Sequence, residues 1–172
     1  MPSARATAVL FPVPVADPLL RAVGERFPGA VRPGLPAHLT VLHPFLPEVD
    51  EAVLAELAEL VARRAPVRVE FTADVAQRHL DAGFVPLRPE PDGPLRELTA
   101  ELAARWDLRP YDGRYGEPDP HVTIALDVTP QRAREIAEHV AGALPPPALL
   151  DEAWLVEFDG AWSLRARLPL RG

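Results

Sequence analysis

Two tripeptides of one form carry the chemistry legible in this chain: His38-Leu39-Thr40 and His121-Val122-Thr123. On a strand, side chains two apart share a face, so each tripeptide presents an imidazole and a hydroxyl together, with Leu39 or Val122 packing behind. Two such pairs facing each other across a cleft suit a phosphodiester transfer that needs no metal. A neutral imidazole removes a proton from the attacking oxygen, and a protonated one supplies a proton to the leaving oxygen. Thr hydroxyls can donate to the non-bridging phosphate oxygens, whose charge grows in the transition state. His38 and His121 are therefore the expected catalytic pair, with Thr40 and Thr123 as substrate ligands.

A single His-x-Thr has little specificity, because Thr is common in strands for its β propensity. Repetition gives the motif its weight. The two copies lie 83 positions apart in 172 residues, each is followed by a helical pattern, and each then reaches a Val-Glu-Phe strand, at Val69–Phe71 and Val156–Phe158. The order strand, helix, His-x-Thr strand, helix, strand is written twice, which predicts an internal duplication with pseudo-symmetric halves of roughly 1–78 and 79–172.

The elements that must position the motifs follow from periodicity and punctuation. Ala6–Val15 reads as a strand, and Asp17–Phe27 as a helix with Asp17 as N-cap and Pro18 at its first position. The Pro/Gly segment Val31–Ala37 leads into the first motif. Asp50 caps a helix through Arg64, and Val67–Ala76 alternates as a strand. In the second half, Leu80–Arg88 is strand-like, Pro94–Trp106 and Pro130–Ala143 are helical, and Ala153–Phe158 pairs with Ala161–Leu170 through the turn Asp159-Gly160.

Composition narrows the mechanism further. The chain has no Cys, and all 18 of its basic residues are Arg. Thiolate nucleophiles, disulfides and cysteine-ligated zinc are excluded, as are Schiff bases, a Walker A lysine and a lysine that carries a nucleotidyl group. No His-Glu-x-x-His or clustered carboxylate pattern offers a metal site, so neither metal nor cofactor is expected. The net charge of −7 argues against a protein that holds long duplex nucleic acid by counterion release, while a small anion in a locally positive cleft remains compatible with it. The length suits one domain of roughly 150 residues. No apolar run approaches the roughly 18 residues of a membrane span, and Met1–Arg5 lack the features of a signal peptide. A cytoplasmic monomer without membrane contact is expected.

Other polar residues are secondary. The loop Tyr111–Pro120 holds Arg114 between Tyr111 and Tyr115; a guanidinium there could grip phosphate, and Tyr115 could stack on a base. Arg165 and Arg167 share one face of the last strand, either the cleft or solvent. His43 lies five positions after His38, so on a regular strand it faces away from the pair. His79, in the turn QRHLD, and His139, on a helical pattern, read as solvated.

The stretches AHLTVLHPF (Ala37–Phe45) and PHVTIAL (Pro120–Leu126) resemble the motifs of the 2H phosphoesterase superfamily, in particular its 2′-5′ RNA ligase-like members, also described as cyclic phosphodiesterases. The duplicated layout extends the resemblance over nearly the whole chain. It implies an α+β, bilobal, duplicated fold with antiparallel sheets lining a central cleft and helices on the outside. It also implies metal-independent opening of 2′,3′-cyclic phosphates, or cleavage and joining of 2′-5′ phosphodiesters, on a small phosphoester, a cyclic nucleotide or an RNA terminus. Two alternatives stand beside this reading. One is the same pair of histidines used on a non-nucleotide small molecule of specialised metabolism, which predicts a closed, apolar cleft with few Arg on its rim. The other is a non-catalytic protein that binds a phosphorylated terminus.

Overall fold

Eight strands form one antiparallel sheet among the described residues of this computed structural model, which are 5–116 and 119–172. Residues 1–4 of the Met1–Arg5 start, and residues 117–118 of the loop before the second motif, lie outside them. The strands are β1 (Ala6–Pro12), β2 (His38–Leu42), β3 (Val67–Thr72), β4 (Val85–Glu90), β5 (Val122–Ala125), β6 (Ala148–Leu150), β7 (Glu152–Phe158) and β8 (Trp162–Pro169). Their order across the sheet is β6-β3-β4-β5-β2-β1-β7-β8. The helices are α1 (Asp17–Arg26), α2 (Glu51–Ala62), α3 (Gln77–Asp81), α4 (Gly93–Arg105) and α5 (Pro130–Ala141).

The motif strands meet in the middle, where Leu39 of β2 pairs with Val122 of β5. On either side lies a lobe: β5-β4-β3-β6 from residues 67–150, and β2-β1-β7-β8 from residues 6–42 and 152–169. Each Val-Glu-Phe strand thus pairs across the midpoint of the sequence, β3 with β4 and β7 with β1. Asp151 alone separates β6 from β7, although they stand near opposite ends of the strand order. The sheet is therefore strongly curled.

Strand alternation divides the faces. Phe11, Leu39, Val69, Leu87, Val122 and Leu155 are buried against Val23, Leu57, Leu98 and Ile136 of the helices. Each fully buried side chain of this kind contributes about 1.5–3 kcal/mol of transfer free energy. The opposite face carries a smaller apolar cluster of Ala8, Leu10 and Val156, with Leu35, Trp154 and Trp162 packed on it. Helix ends follow the sequence: Asp50 accepts from the Val53 N–H at 2.8 Å, and Thr129 from the Arg132 N–H at 3.1 Å. Each such cap is worth about 1 kcal/mol.

Some elements differ from the sequence reading. Asp17 is the first residue of α1, not its cap, and its carboxylate accepts the Ala37 N–H at 2.8 Å. An N-cap side chain serves the nearest free donor, and here a tertiary donor occupies it. Leu80–Arg88 begins in α3 and turns at Gly83 before β4 starts; φ there is +70°, and a Cβ would lie 1.9 Å from the Val128 carbonyl oxygen. The short strand β6 was not foreseen, because three residues carry no readable period.

Both motif strands contain a bulge at the same place. The register of β1 on β2 passes from Val9↔Leu42 to Leu10↔Thr40, which leaves Val41 as the extra residue. On β4 and β5 it passes from Val85↔Ala125 to Pro86↔Thr123, which leaves Ile124 extra. Each bulge directly follows the motif Thr and resets the alternation beyond it. The unpaired Val41 carbonyl accepts from the buried Thr99 hydroxyl of α4 at 2.8 Å. Thr99→Val keeps the shape and orphans that carbonyl, so urea denaturation should show a loss of about 1–3 kcal/mol; unchanged stability would mean that the bond is dispensable.

Candidate active site

The register through Leu39 and Val122 sets His38 opposite Thr123 and Thr40 opposite His121, all on the face away from the helices. Directly opposed residues of an antiparallel pair have Cβ atoms about 4.5–5.5 Å apart, and diagonal ones such as His38 and His121 about 7–8 Å. The result is a cross of two imidazoles and two hydroxyls with room for one tetrahedral anion.

Each histidine is anchored in the same way. The His38 Nδ1–H donates to the Pro36 carbonyl at 2.8 Å, and the His121 Nδ1–H donates to the Asp119 carbonyl at 2.7 Å. A carbonyl oxygen only accepts, so Nδ1 carries the proton in both rings and Nε2 is the atom left for proton transfer. Asp119 is itself held, its carboxylate accepting from Arg96 at 2.5 Å, while Arg96 also reaches Asp92 at the start of α4 at 3.0 Å. Upstream of His38, the Ala37 N–H is held by Asp17, and the Ala37 carbonyl accepts from the Val13 N–H at 2.7 Å.

Burial lowers the pKa of both histidines below the ordinary 6.5, against the pull of their carbonyl hydrogen bonds. For His121, the nearby His79 and His38 push the same way. Both rings are therefore inclined to the neutral, basic form until an anion joins them.

Two cavities flank the cross and meet at Thr123 and Leu126. The larger, about 730 Å³, is lined by His121, Thr123, Phe84, His79, Arg78, Arg88, Tyr111 and Tyr115. The smaller, about 250 Å³, is lined by His38, Thr40, His43 and Trp162 among largely apolar neighbours. Tyr111 bridges them. Its ring lines the larger cavity while its hydroxyl is hydrogen-bonded to the Thr40 side chain, and its N–H donates to the His43 carbonyl at 2.5 Å. Tyr111 and Asp112 both sit in the left-handed region, at φ 52° and 56°, a conformation that non-glycine residues keep only when their surroundings impose it.

The structure brings His38, Thr40, His121 and Thr123 into one cleft. Tyr115 lines the larger cavity at 73% exposure, with its ring centroid 5.6 Å from that of Tyr111. Arg114 is exposed and lines neither cavity. Arg165 donates to the Val49 carbonyl at 2.8 Å, and Arg167 stacks over Trp154 at 5.5 Å, so neither lines a wall of the cleft. His43 corrects the expectation that it faces away, because the bulge at Val41 turns it back toward the smaller cavity. His79 is half-buried rather than solvated, edge-on to Phe84 at 5.4 Å, and Phe84 is edge-on to His121 at 5.3 Å. His139 is half-buried against Phe27.

Sequence reasoning missed Phe84, Arg78 and Arg88. Only the pairing Leu87↔Val122 reveals that Arg88 stands opposite His121. Among the described residues no group of three or more His, Asp and Glu side chains forms a metal site, and no helix is long and apolar enough to cross a membrane.

Comparison with curated proteins finds no match. Among solved structures, E. coli LigT complexed with 3′-AMP is similar at TM-score 0.63 and 20% identity, with 99% of this chain and 100% of that one covered. LigT complexed with NADP+ matches at 0.57 and 22%, over 100% of both chains. A protein described as a phosphoesterase matches at 0.56 and 19%, also over 100% of both. These likenesses give the fold. The family profile of the 2′-5′ RNA ligase superfamily matches residues 11–162, most of the sequence and both motif strands. On that match the chain belongs to the 2′-5′ RNA ligase superfamily of 2H phosphoesterases.

Proposed function

We propose that this protein is a metal-independent phosphoesterase that opens 2′,3′-cyclic phosphates, or cleaves and joins 2′-5′ phosphodiesters, on nucleotides or RNA ends. The observation that carries the reading is the pair of matched Nδ1–H to carbonyl bonds, which give both histidines the tautomer that frees Nε2. In hydrolysis, one neutral Nε2 takes a proton from water as its oxygen bonds to phosphorus. The bond from phosphorus to a ribose oxygen breaks, and that oxygen receives the proton of the other imidazolium. Joining follows the same path with a 5′-hydroxyl in place of water: its proton goes to the neutral Nε2 as its oxygen bonds to phosphorus, the bond from phosphorus to O3′ of the cyclic phosphate breaks, and O3′ takes the imidazolium's proton. Cleavage of the 2′-5′ linkage is the reverse, with the two roles exchanged. Thr123 and Thr40 donate to the non-bridging oxygens.

A nucleotide substrate is favoured over a non-nucleotide one by the open larger cavity, with Arg78 and Arg88 on its wall and Tyr115 exposed for stacking. The 3′-AMP and NADP+ held by the LigT structures support the same class. A protein that only bound phosphate would have no use for two opposed bases.

Three outcomes are expected on a nucleoside 2′,3′-cyclic phosphate. His38→Ala and His121→Ala should each lower turnover by about 10²- to 10⁴-fold with circular dichroism unchanged; a folded mutant with full activity sinks the mechanism. Activity should survive dialysis against EDTA and require no ATP, and restoration by a divalent ion after its loss would contradict the metal-free route. The third outcome concerns pH. Because burial lowers both histidines from 6.5, the form with one proton between them peaks on the acid side, so kcat/KM should trace a bell with its maximum below about pH 6.5. Bound phosphate favours the imidazolium, so the kcat bell should lie at higher pH than the kcat/KM bell. A profile flat from about pH 5 to 9, with chemistry rate-limiting, would show that these histidines do not transfer protons.

A further inference from the structure

The two sides of the cross are chemically unlike. Antiparallel register sets a row of side chains on the cleft face running Thr40, His121, Arg88 and Thr72 from β2 across β5 and β4 to β3. On the other side the neighbours of β2 are Pro12, opposite His38, and Leu10, opposite Thr40. An arginine thus stands opposite one histidine in the sheet where the other histidine has a proline. Arg78 and His79 of α3 join Arg88 on the wall of the larger cavity, whereas the smaller cavity is closed by Leu10, Leu20, Leu35 and Trp162, and the Arg32 on its wall is ion-paired with Asp127.

The charges on this wall are unevenly matched. Asp119 is its carboxylate, and Arg96 already holds it at 2.5 Å; Arg78 reaches it only at 3.9 Å. Arg88 is exposed and has no hydrogen-bonded or ion-paired carboxylate among the described residues. Its charge acts on His79 and Asp119, which line the same cavity. The Nδ1 atom of His79 is buried without a partner, which leaves the ring's other nitrogen as its only route to a ligand. In a chain of net charge −7, an unpaired guanidinium, a second loosely held one and an imidazole converge on one wall beside the catalytic pair.

We propose that Arg88, with Arg78 and His79, forms a second phosphate subsite, which takes the phosphate on the 5′ side of the nucleoside whose 2′,3′-phosphate reacts at the cross. The inference rests on the phosphoesterase reading of the cleft. It makes the preferred substrate one with two phosphates flanking a nucleoside, with the nucleoside lying along Phe84 and the tyrosines between them. The same chemistry is offered by the terminal phosphate of a 5′-phosphorylated mononucleotide and by the internucleotide phosphate of an RNA 3′ end.

Calorimetric titration with three adenosine ligands tests it without requiring turnover: the 3′-monophosphate, the 3′,5′-bisphosphate, and the dinucleotide ending in a 3′-phosphate. Either or both of the last two should bind about 10- to 100-fold more tightly than the first, as expected of charge-assisted hydrogen bonds. The gain should shrink as salt is raised. In Arg88→Ala the gain should largely vanish, and Arg88→Lys should retain part of it. A gain for the dinucleotide alone identifies an RNA strand as the source; a gain for the bisphosphate as well admits a 5′-phosphorylated mononucleotide. Equal affinity for all three ligands overturns the subsite. So does Arg88→Ala weakening all three alike, which would place the guanidinium on the reacting phosphate instead. Turnover of a 2′,3′-cyclic phosphate, measured in parallel, separates the two readings. A binding gain without turnover would remove the phosphoesterase and keep the subsite, and turnover without a gain would do the reverse.

Discussion

The meeting of β2 and β5 through Leu39 and Val122 is the contact on which the rest of the site depends. Side-chain period on a strand is two, so that single pairing decides where four functional groups stand relative to one another. A slip of one residue would carry an imidazole and a hydroxyl to the helix side and bring Leu39 or Val122 into the cleft. Burial opposes the slip, because both apolar residues are nearly inaccessible in the core behind the site. Hydrophobic packing on one face thus fixes the polar geometry on the other.

That pairing is short, and loops and helix ends complete what it begins. Backbone carbonyls two residues upstream fix both rings, and each upstream segment is moored to a helix terminus: Ala37 to Asp17 at the start of α1, and Asp119 through Arg96 to Asp92 at the start of α4. The matched bulges after Thr40 and Thr123 let the strands leave the cross without disturbing it. The symmetric cross is built from equivalent parts, while the cavities on its two sides are lined by parts that are not equivalent. The His121 side carries arginines and aromatic edges, and the His38 side carries mostly Leu, Pro and Trp, its Arg32 neutralised by Asp127.

The order of elements was legible because helices and strands here have clean periods and capping residues, as at Asp50. The cross of His38, Thr40, His121 and Thr123 was legible because His-x-Thr fixes a shared face on any strand and the motif occurs twice. Contacts between distant segments were not. Arg88 is an ordinary strand arginine until β4 is set beside β5, and the period of β2 puts His43 on the wrong face because one extra residue in a strand leaves no trace in that period. His79 looked polar and solvated in a turn-like sequence, yet α3 lays it against Phe84. In each case the deciding interaction is tertiary, and local propensity carries no information about it.

The single residue between β6 and β7 has a mechanical consequence. The two lobes touch in front at β2 and β5 and are stitched behind at Asp151, whose carbonyl also receives the Leu170 N–H at 2.8 Å. A clasp at both ends does not work like a jaw: widening the mouth at β2 and β5 would strain a stitch with no slack. The aperture of the cleft is therefore set when the chain folds, and adjusting it to different guests falls to the rim, where the Tyr111–Gly116 turn stands over Thr40.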